Sequence, residues 1–233
     1  KTADNANLPT EMREALLRDW SGTRWAAQEL EGEFIATEGI GFPELSELIH
    51  RRAPSTNEFV RWAAGFDLGA SSPTAIALWK MDGGNRVWLT DEFYEPNATP
   101  DQWMSWCAER NITRLACDPS ISEDQLVQWR RRYGISFTRA RVKTFPERVE
   151  MWRTRLGVRP ESNLPGLFIS PSCPNTWKEM TNLAYARPRG REFAMNAWTP
   201  GARDHLFDAG AYGLAEFGRP VGAPVARQIV RTY

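Results

Sequence analysis

Runs of apolar residues bounded by turn residues predict three consecutive β-strands early in the chain. Residues 87–94 form one such strand, in which alternate positions would place Val87, Leu89, Asp91 and Phe93 on one face and Trp88, Thr90, Glu92 and Tyr94 on the other. Residues 62–68 and 74–81 also have strand-like composition, and Asp82-Gly83-Gly84-Asn85 is typical of a hairpin turn. Because the connections are short, we expect an antiparallel meander.

After residue 98 the pattern changes to helical periodicity interrupted by short apolar runs. It predicts helices at 99–110, 122–133, 146–156, 175–186 and 199–217, with strands at 113–117, 137–142 and 167–169. Residues 187–198 are typical of a hairpin turning at Gly190. Three antiparallel strands, then parallel strands flanked by helices, are the order of an RNase H/RuvC-like mixed α/β sheet.

The first 58 residues have a different pattern, with helical periodicity over 10–31, a short predicted helix at 44–51 and a turn-rich link at 53–57. We therefore expect a preceding segment and linker at 1–58, a main domain at 59–218 and a flexible tail at 219–233. The chain begins with Lys1 and has no initiator Met, so we expect a piece of a longer protein.

Composition is ordinary for a globular protein, with 42% hydrophobic and 25% charged residues. No apolar run reaches the roughly 18 residues that a membrane span needs, so no membrane partner is expected. The three cysteines lack CxxC spacing, which favours reduced thiols in a cytoplasmic protein. Zinc ligation is not expected, because only His50 and His205 could assist.

Net charge is zero, but its distribution is uneven. Residues 128–159 contain 10 basic and 2 acidic side chains. Such a stretch suits an anionic polymer held locally, although a solvated helix face would have the same composition. The candidate DNA contacts are Arg130, Arg131, Arg132, Arg139, Arg141 and Lys143.

Two aspartates stand at the ends of predicted strands. Asp67 lies between apolar residues, where an unpaired carboxylate would be costly. Asp118 follows a buried-looking strand at its carboxyl end, where ligand sites gather in α/β sheets. Each is equally typical of a turn residue, so neither alone establishes a site.

A third acidic group, Asp204, His205 and Asp208, falls in the predicted last helix, with 204 and 205 on the same face as 208. Small residues after Asp208 would let this helix approach the sheet closely. Asp204 is equally typical of a first-turn acid favoured by the helix dipole. His205 could orient a water, ligate a metal or donate a proton, or be only a hydrogen-bonded histidine.

Together these acids predict a site for two Mg²⁺ or Mn²⁺ ions. Asp67 is the candidate bridging ligand. Asp118 and Asp208 would hold one ion each, and Asp204 is a further candidate ligand.

Three motifs carry a resemblance to a known family: Phe66-Asp67-Leu68-Gly69, Cys117-Asp118-Pro119-Ser120 and Asp204-His205-Leu206-Phe207-Asp208-Ala209. They resemble the acidic motifs of the nuclease domain of tailed-phage terminase large subunits, a family that includes gene transfer agent terminases. Trp20-Ser21-Gly22-Thr23 and its neighbours resemble the end of that family's ATPase domain, which implies that 1–58 is its tail and linker. The chain lacks a G-x-x-x-x-G-K-[ST] loop, so no translocation is expected from it.

The resemblance implies a metal-dependent endodeoxyribonuclease that cuts double-stranded viral DNA during packaging. Its catalytic residues would be Asp67, Asp118 and Asp208, with His205 nearby. In the full-length protein the implied partners are an ATPase domain, the small terminase subunit and the portal. The implied location is the procapsid portal in the host cytoplasm.

Two other functions stay open. The domain could hold or dock DNA while cutting is suppressed, with the acidic segment before residue 62 covering a partner or the site. It could also be another RNase H-like nuclease, such as a junction resolvase or an RNase H.

Overall fold

The computed structural model describes residues 39–55, 58–69, 72–159, 162–187 and 193–218. The predicted helix at 10–31 and the predicted tail at 219–233 lie outside these residues. The elements in chain order are α1 (Glu47–His50), β1 (Phe59–Asp67), β2 (Pro73–Asp82), β3 (Val87–Pro96), α2 (Pro100–Glu109), β4 (Arg114–Cys117), α3 (Glu123–Tyr133), β5 (Ser136–Arg139), α4 (Phe145–Leu156), β6 (Val158–Arg159), β7 (Leu164–Pro165), β8 (Leu167–Ile169), α5 (Pro174–Asn182), β9 (Tyr185–Ala186), β10 (Ala194–Trp198) and α6 (His205–Ala215).

A six-stranded sheet in the order β5-β4-β1-β2-β3-β8 forms the centre of the fold. Strands β1, β2 and β3 pair antiparallel, as the short connections predict. Strands β4 and β5 add in parallel beside β1, and β8 adds in parallel beside β3. The topology therefore confirms the predicted mixed sheet.

Helices cover both faces of this sheet, which also confirms the prediction. On one face α4, α5 and α6 pack over a core that includes Trp79, Trp152 and Phe207. On the other face α2 and α3 pack over Phe66 and Phe137. Within the part of the chain that the structure describes, no helix is long and apolar enough to cross a membrane.

Local sequence signals place several element ends correctly. The Ser122 hydroxyl accepts a hydrogen bond from Gln125 N–H and caps α3, as predicted. The β2–β3 hairpin turns where predicted. There the buried Asp82 carboxylate accepts hydrogen bonds from the Gly84 and Arg86 backbone N–H groups and from the Trp88 indole.

The predicted helix start at 199 is wrong, because α6 begins at His205. Residues 199–202 form only a single turn, in which Ala202 N–H donates to the Thr199 carbonyl. Gly201 then adopts a left-handed conformation with φ of 79°, which interrupts a helix.

The predicted helix at 175–186 extends too far, because α5 ends at Asn182. Ala184 bridges Ile40 in an antiparallel arrangement, and β9 pairs with β10, so these backbone groups bond to distant partners. The predicted hairpin is therefore present, with its first strand beginning at Tyr185 and its turn outside the described residues. The short β6–β7 ladder was not predicted.

Candidate metal centre

Asp67 and Asp118 are neighbours at the edge of the sheet that is formed by the carboxyl ends of β1 and β4. Strands β1 and β4 run parallel, with Phe66 paired to Cys117, so the next residue on each strand is an aspartate. Adjacent strands lie roughly 5 Å apart. Phe66 and Cys117 belong to the core under α2 and α3, so both aspartates face the opposite side, toward α6.

Helix α6 approaches β1 closely enough to bring Asp208 to the same edge. A Cβ atom on Gly65 would lie 1.8 Å from the Ala209 carbonyl oxygen and 2.5 Å from the Gly213 nitrogen, so only glycine permits this contact. The Trp79 and Trp152 indoles donate hydrogen bonds to the α6 carbonyls of Gly210 and Phe207. As predicted, the small residues after Asp208 are buried against the sheet.

Each of these aspartates has a protein partner. The His205 Nδ1 atom lies 2.9 Å from Asp67 Oδ2, and an ionised carboxylate can only accept, so Nδ1 carries the proton. The Tyr212 hydroxyl donates to Asp118 Oδ2 at 3.3 Å. The Arg148 Nε atom lies 2.6 Å from Asp208 Oδ1, but the two atoms are not aligned for a hydrogen bond.

The site concentrates negative charge. Burial raises the pKa of Asp208 to about 7; the charges of Asp204, Asp67 and Asp118 act in the same direction, and Arg148 opposes them. The hydrogen bond to Asp67 raises the pKa of His205. The carboxylates at this edge therefore lie within one another's electrostatic field and favour a cation.

Asp204 occupies the N-cap of α6 rather than its first turn, because the helix starts later than predicted. Its side chain makes no capping hydrogen bond, while its carbonyl accepts from Asp208 N–H at 2.9 Å. Burial raises the pKa of Asp204, and the charge of Asp67 adds to this effect. Asp204 therefore borders the cluster.

The donor set fits a hard divalent cation, because carboxylate oxygens suit Mg²⁺ and Mn²⁺. Asp208 Oδ1 is buried without a hydrogen bond, and its nearest cation is the Arg148 guanidinium. Among the described residues, however, no group of three or more Asp, Glu, His or Cys side chains already converges in a ligand arrangement. Asp67 points to His205, Asp118 Oδ1 accepts from Ser120 N–H, and Asp208 faces Arg148, so metal binding requires these side chains to turn.

The predicted DNA-contact residues do not form one group. Arg131 and Arg132 are exposed near the end of α3, beside the start of β5, which pairs with the first residue of β4. They therefore lie at the opposite end of the parallel strands from Asp118. Arg130 is held by the Phe137 carbonyl and by Glu123.

The other three predicted contacts are distributed differently. Arg139 donates to the Ile121 carbonyl in the loop after Asp118. The Lys143 carbonyl accepts from Arg148 at 3.4 Å, so Lys143 also lies on the aspartate side. Arg141 lies 3.8 Å from Glu216, which follows the far end of α6.

Three residues of the site were not singled out from the sequence: Arg148, Tyr212 and Glu179. Arg148 was visible only as one base in the stretch at 128–159. The buried Glu179 accepts a hydrogen bond from Phe207 N–H at 2.7 Å, and burial raises its pKa to about 8. Helical spacing places Tyr212 one turn after Asp208, which is the one signal that could have shown its role.

Comparison with solved structures gives matches across most of the chain. A large terminase from a thermophilic bacteriophage superposes with a TM-score of 0.59 at 18% identity, covering 90% of this chain and 52% of that one. The nuclease domain of the large terminase of bacteriophage SPP1, solved with bound Mn, gives 0.55 at 16% identity, covering 71% and 94%. The large terminase nuclease of thermophilic phage G20c, solved with bound magnesium, gives 0.52 at 16% identity, covering 78% and 99%.

This chain has the fold of a large-terminase nuclease domain. The structural likeness confirms the predicted RNase H-like architecture and the resemblance in fold. The chain spans about half the length of the large terminase that it matches over 90% of its own residues. Comparison with protein-family models gives no match, and neither does comparison with the sequences of curated proteins.

Proposed function

We propose that this chain is a metal-dependent endonuclease that cuts double-stranded viral DNA during genome packaging, by two-metal-ion phosphodiester hydrolysis. The observation that carries the proposal is the position of Asp67, Asp118 and Asp208 within one another's electrostatic field. They come from three separate elements and reach one edge of a sheet with the terminase nuclease fold. The bound Mn and magnesium of the SPP1 and G20c domains support the choice of ions.

Each side chain has a part in this reaction. Asp67, Asp118 and Asp208 would hold the ions, which would supply an activated water and stabilise the leaving oxygen. In the protein alone, Asp67 accepts a hydrogen bond from His205 Nδ1–H, which holds the imidazole ring beside the carboxylates. Tyr212 donates to Asp118 and so restrains the orientation of that ligand.

Plasmid cleavage with Mn²⁺ tests the proposal. We expect Asp67→Asn, Asp118→Asn and Asp208→Asn each to lower the cleavage rate by about two to three orders of magnitude, as removal of one transition-state stabiliser does. Asp101→Asn is the matched control, because Asp101 is exposed on α2, across the sheet. If one of the three variants cuts as fast as the parent, that aspartate is not a ligand.

A DNA-holding module with suppressed cutting is the second candidate. It is favoured by the pairing of Asp208 with Arg148 and of Asp67 with His205, which turns both carboxylates away from a common point. Duplex binding by the parent, with no plasmid cutting at any Mn²⁺ concentration, would support this function over the first.

The partners and the setting belong to the same proposal. An ATPase domain in the same polypeptide, the small terminase subunit and the portal would bring the domain to the procapsid in the host cytoplasm. The half-length match to a large terminase supports the first of these partners.

A further inference from the structure

A cleft of about 500 Å³ lies beside the N-terminal end of α6. Its walls come from β3, α5 and the loop that precedes α6. The polar side chains among its lining residues include Tyr94, Asn175, Lys178, Glu179, Asn182 and Arg203. Glu179 also bonds to Phe207 N–H, so this cleft and the aspartate cluster share a wall.

The sheet register fixes the position of this cleft relative to Asp67. Asp67 pairs with Ala75, and Ala75 pairs with Tyr94, so the three residues form one row across β1, β2 and β3. Paired residues of antiparallel strands point to the same face, and two strand spacings amount to roughly 10 Å. The cleft therefore opens on the face that carries the aspartates, a short distance along the sheet.

The cleft carries positive charge on two exposed side chains. Lys178 and Arg203 are exposed, and neither forms a salt bridge with any residue that the structure describes. The Tyr94 hydroxyl is buried without a hydrogen bond of good geometry, although the Arg203 side chain interacts with it. The Glu179 carboxylate is directed toward the backbone of α6, so it competes little for these cations.

We propose that this cleft binds backbone phosphates of the DNA strand being cut, through Lys178 and Arg203. The inference rests on the proposed nuclease function, because it assigns the path of that enzyme's substrate. Ammonium and guanidinium groups contact phosphates without reading bases, so the binding would be independent of sequence. This path for the DNA strand differs from one over Arg131 and Arg132, which lie at the end of the parallel strands far from Asp118.

The salt dependence of duplex binding tests this assignment. Affinity for a short DNA duplex would be measured by fluorescence anisotropy in EDTA, from about 50 mM to about 200 mM salt. Log K falls as log salt rises, and each lost phosphate contact lowers the magnitude of this slope by about 0.9. We expect the Lys178→Ala/Arg203→Ala double variant to lower this magnitude by about 2. The rival double variant, Arg131→Ala/Arg132→Ala, removes the same charge and should lower it less.

The outcomes separate this proposal from the proposed function. If the parent cuts plasmid but the Lys178→Ala/Arg203→Ala variant keeps the parent's slope, the cleft assignment is wrong and the nuclease stands. A larger loss in the Arg131→Ala/Arg132→Ala variant would also overturn it. If the parent cuts nothing while the cleft variant loses slope, the cleft binds DNA and the nuclease function is wrong.

Discussion

Glu179 shows how one buried side chain positions the aspartate-bearing helix. The N-cap residue of α6, Asp204, makes no side-chain capping bond, and Glu179 of α5 supplies an acceptor to Phe207 N–H instead. This replaces a local cap with a long-range one, because an unpaired N–H in a buried first turn is costly. The sequence could not reveal it, since nothing local connects positions 179 and 207.

Glu179 should make stability fall as pH rises. Its pKa is raised from 4.5 to about 8 in the folded state, mainly by burial. Between these values Glu179 is protonated in the folded protein and ionised in the unfolded chain, so its contribution to stability is greatest below about pH 4.5 and declines up to about pH 8. A Glu179→Gln variant has no titrating group at this position. Its free energy of unfolding should therefore rise relative to that of the parent, by at most about 4 kcal/mol between about pH 4.5 and pH 8.

Urea unfolding in EDTA across this pH range measures the difference. Other groups titrate in both proteins, so the parent-minus-variant difference isolates Glu179. Parallel stability curves for the two proteins would show that Glu179 does not hold its proton in the folded state.

At the scale of elements, the sequence correctly predicts the turns and helix ends that neighbouring residues determine. The β2–β3 hairpin and the Ser122 cap follow from neighbouring residues and are correct. The ends of α5 and α6 depend on the bridge between Ala184 and Ile40 and on the left-handed Gly201, which local periodicity does not report. The close approach of α6 was predicted from its small residues, but the matching role of Gly65 was not.

Gly65→Ala should separate β1 from α6. The added Cβ would meet backbone atoms of Ala209 and Gly213, which cannot move without moving the helix. We expect a loss of about 3 kcal/mol or more in the free energy of unfolding, together with loss of plasmid cleavage, because Asp208 would shift.

Gly157→Ala is the matched control for this prediction. A Cβ at Gly157 would meet no atom within 4 Å, and its φ of −59° suits any residue. Its stability should change little, or rise by about 0.5 kcal/mol. Equal stability of the two variants would show that β1 and α6 are not in close contact.

At the scale of the whole molecule, a chain with zero net charge gathers several carboxylates at one edge of its sheet. The sequence predicted that Asp67, Asp118 and Asp208 lie near one another, because strand ends and helix faces follow from periodicity. It did not predict that a guanidinium from α4 would face Asp208, because the relative position of α4 and α6 depends on packing around Trp152. Arg148 therefore limits the repulsion that Asp208 experiences in the protein alone.

Arg148 and a bound metal ion would compete for Asp208 Oδ1. Mn²⁺ at 100 times its dissociation constant should stabilise the parent by about 2.7 kcal/mol. For a domain of this size that corresponds to a rise in Tm of about 5–10 °C.

Arg148→Ala should have a lower Tm than the parent in EDTA, because the repulsion among the carboxylates is then uncompensated. Its Mn²⁺-induced rise in Tm should be larger than that of the parent. Asp208→Asn should lose most of that rise. Differential scanning calorimetry measures the Mn²⁺-induced rise in Tm. An equal rise in the parent and in Arg148→Ala would contradict competition between Arg148 and the metal ion for Asp208.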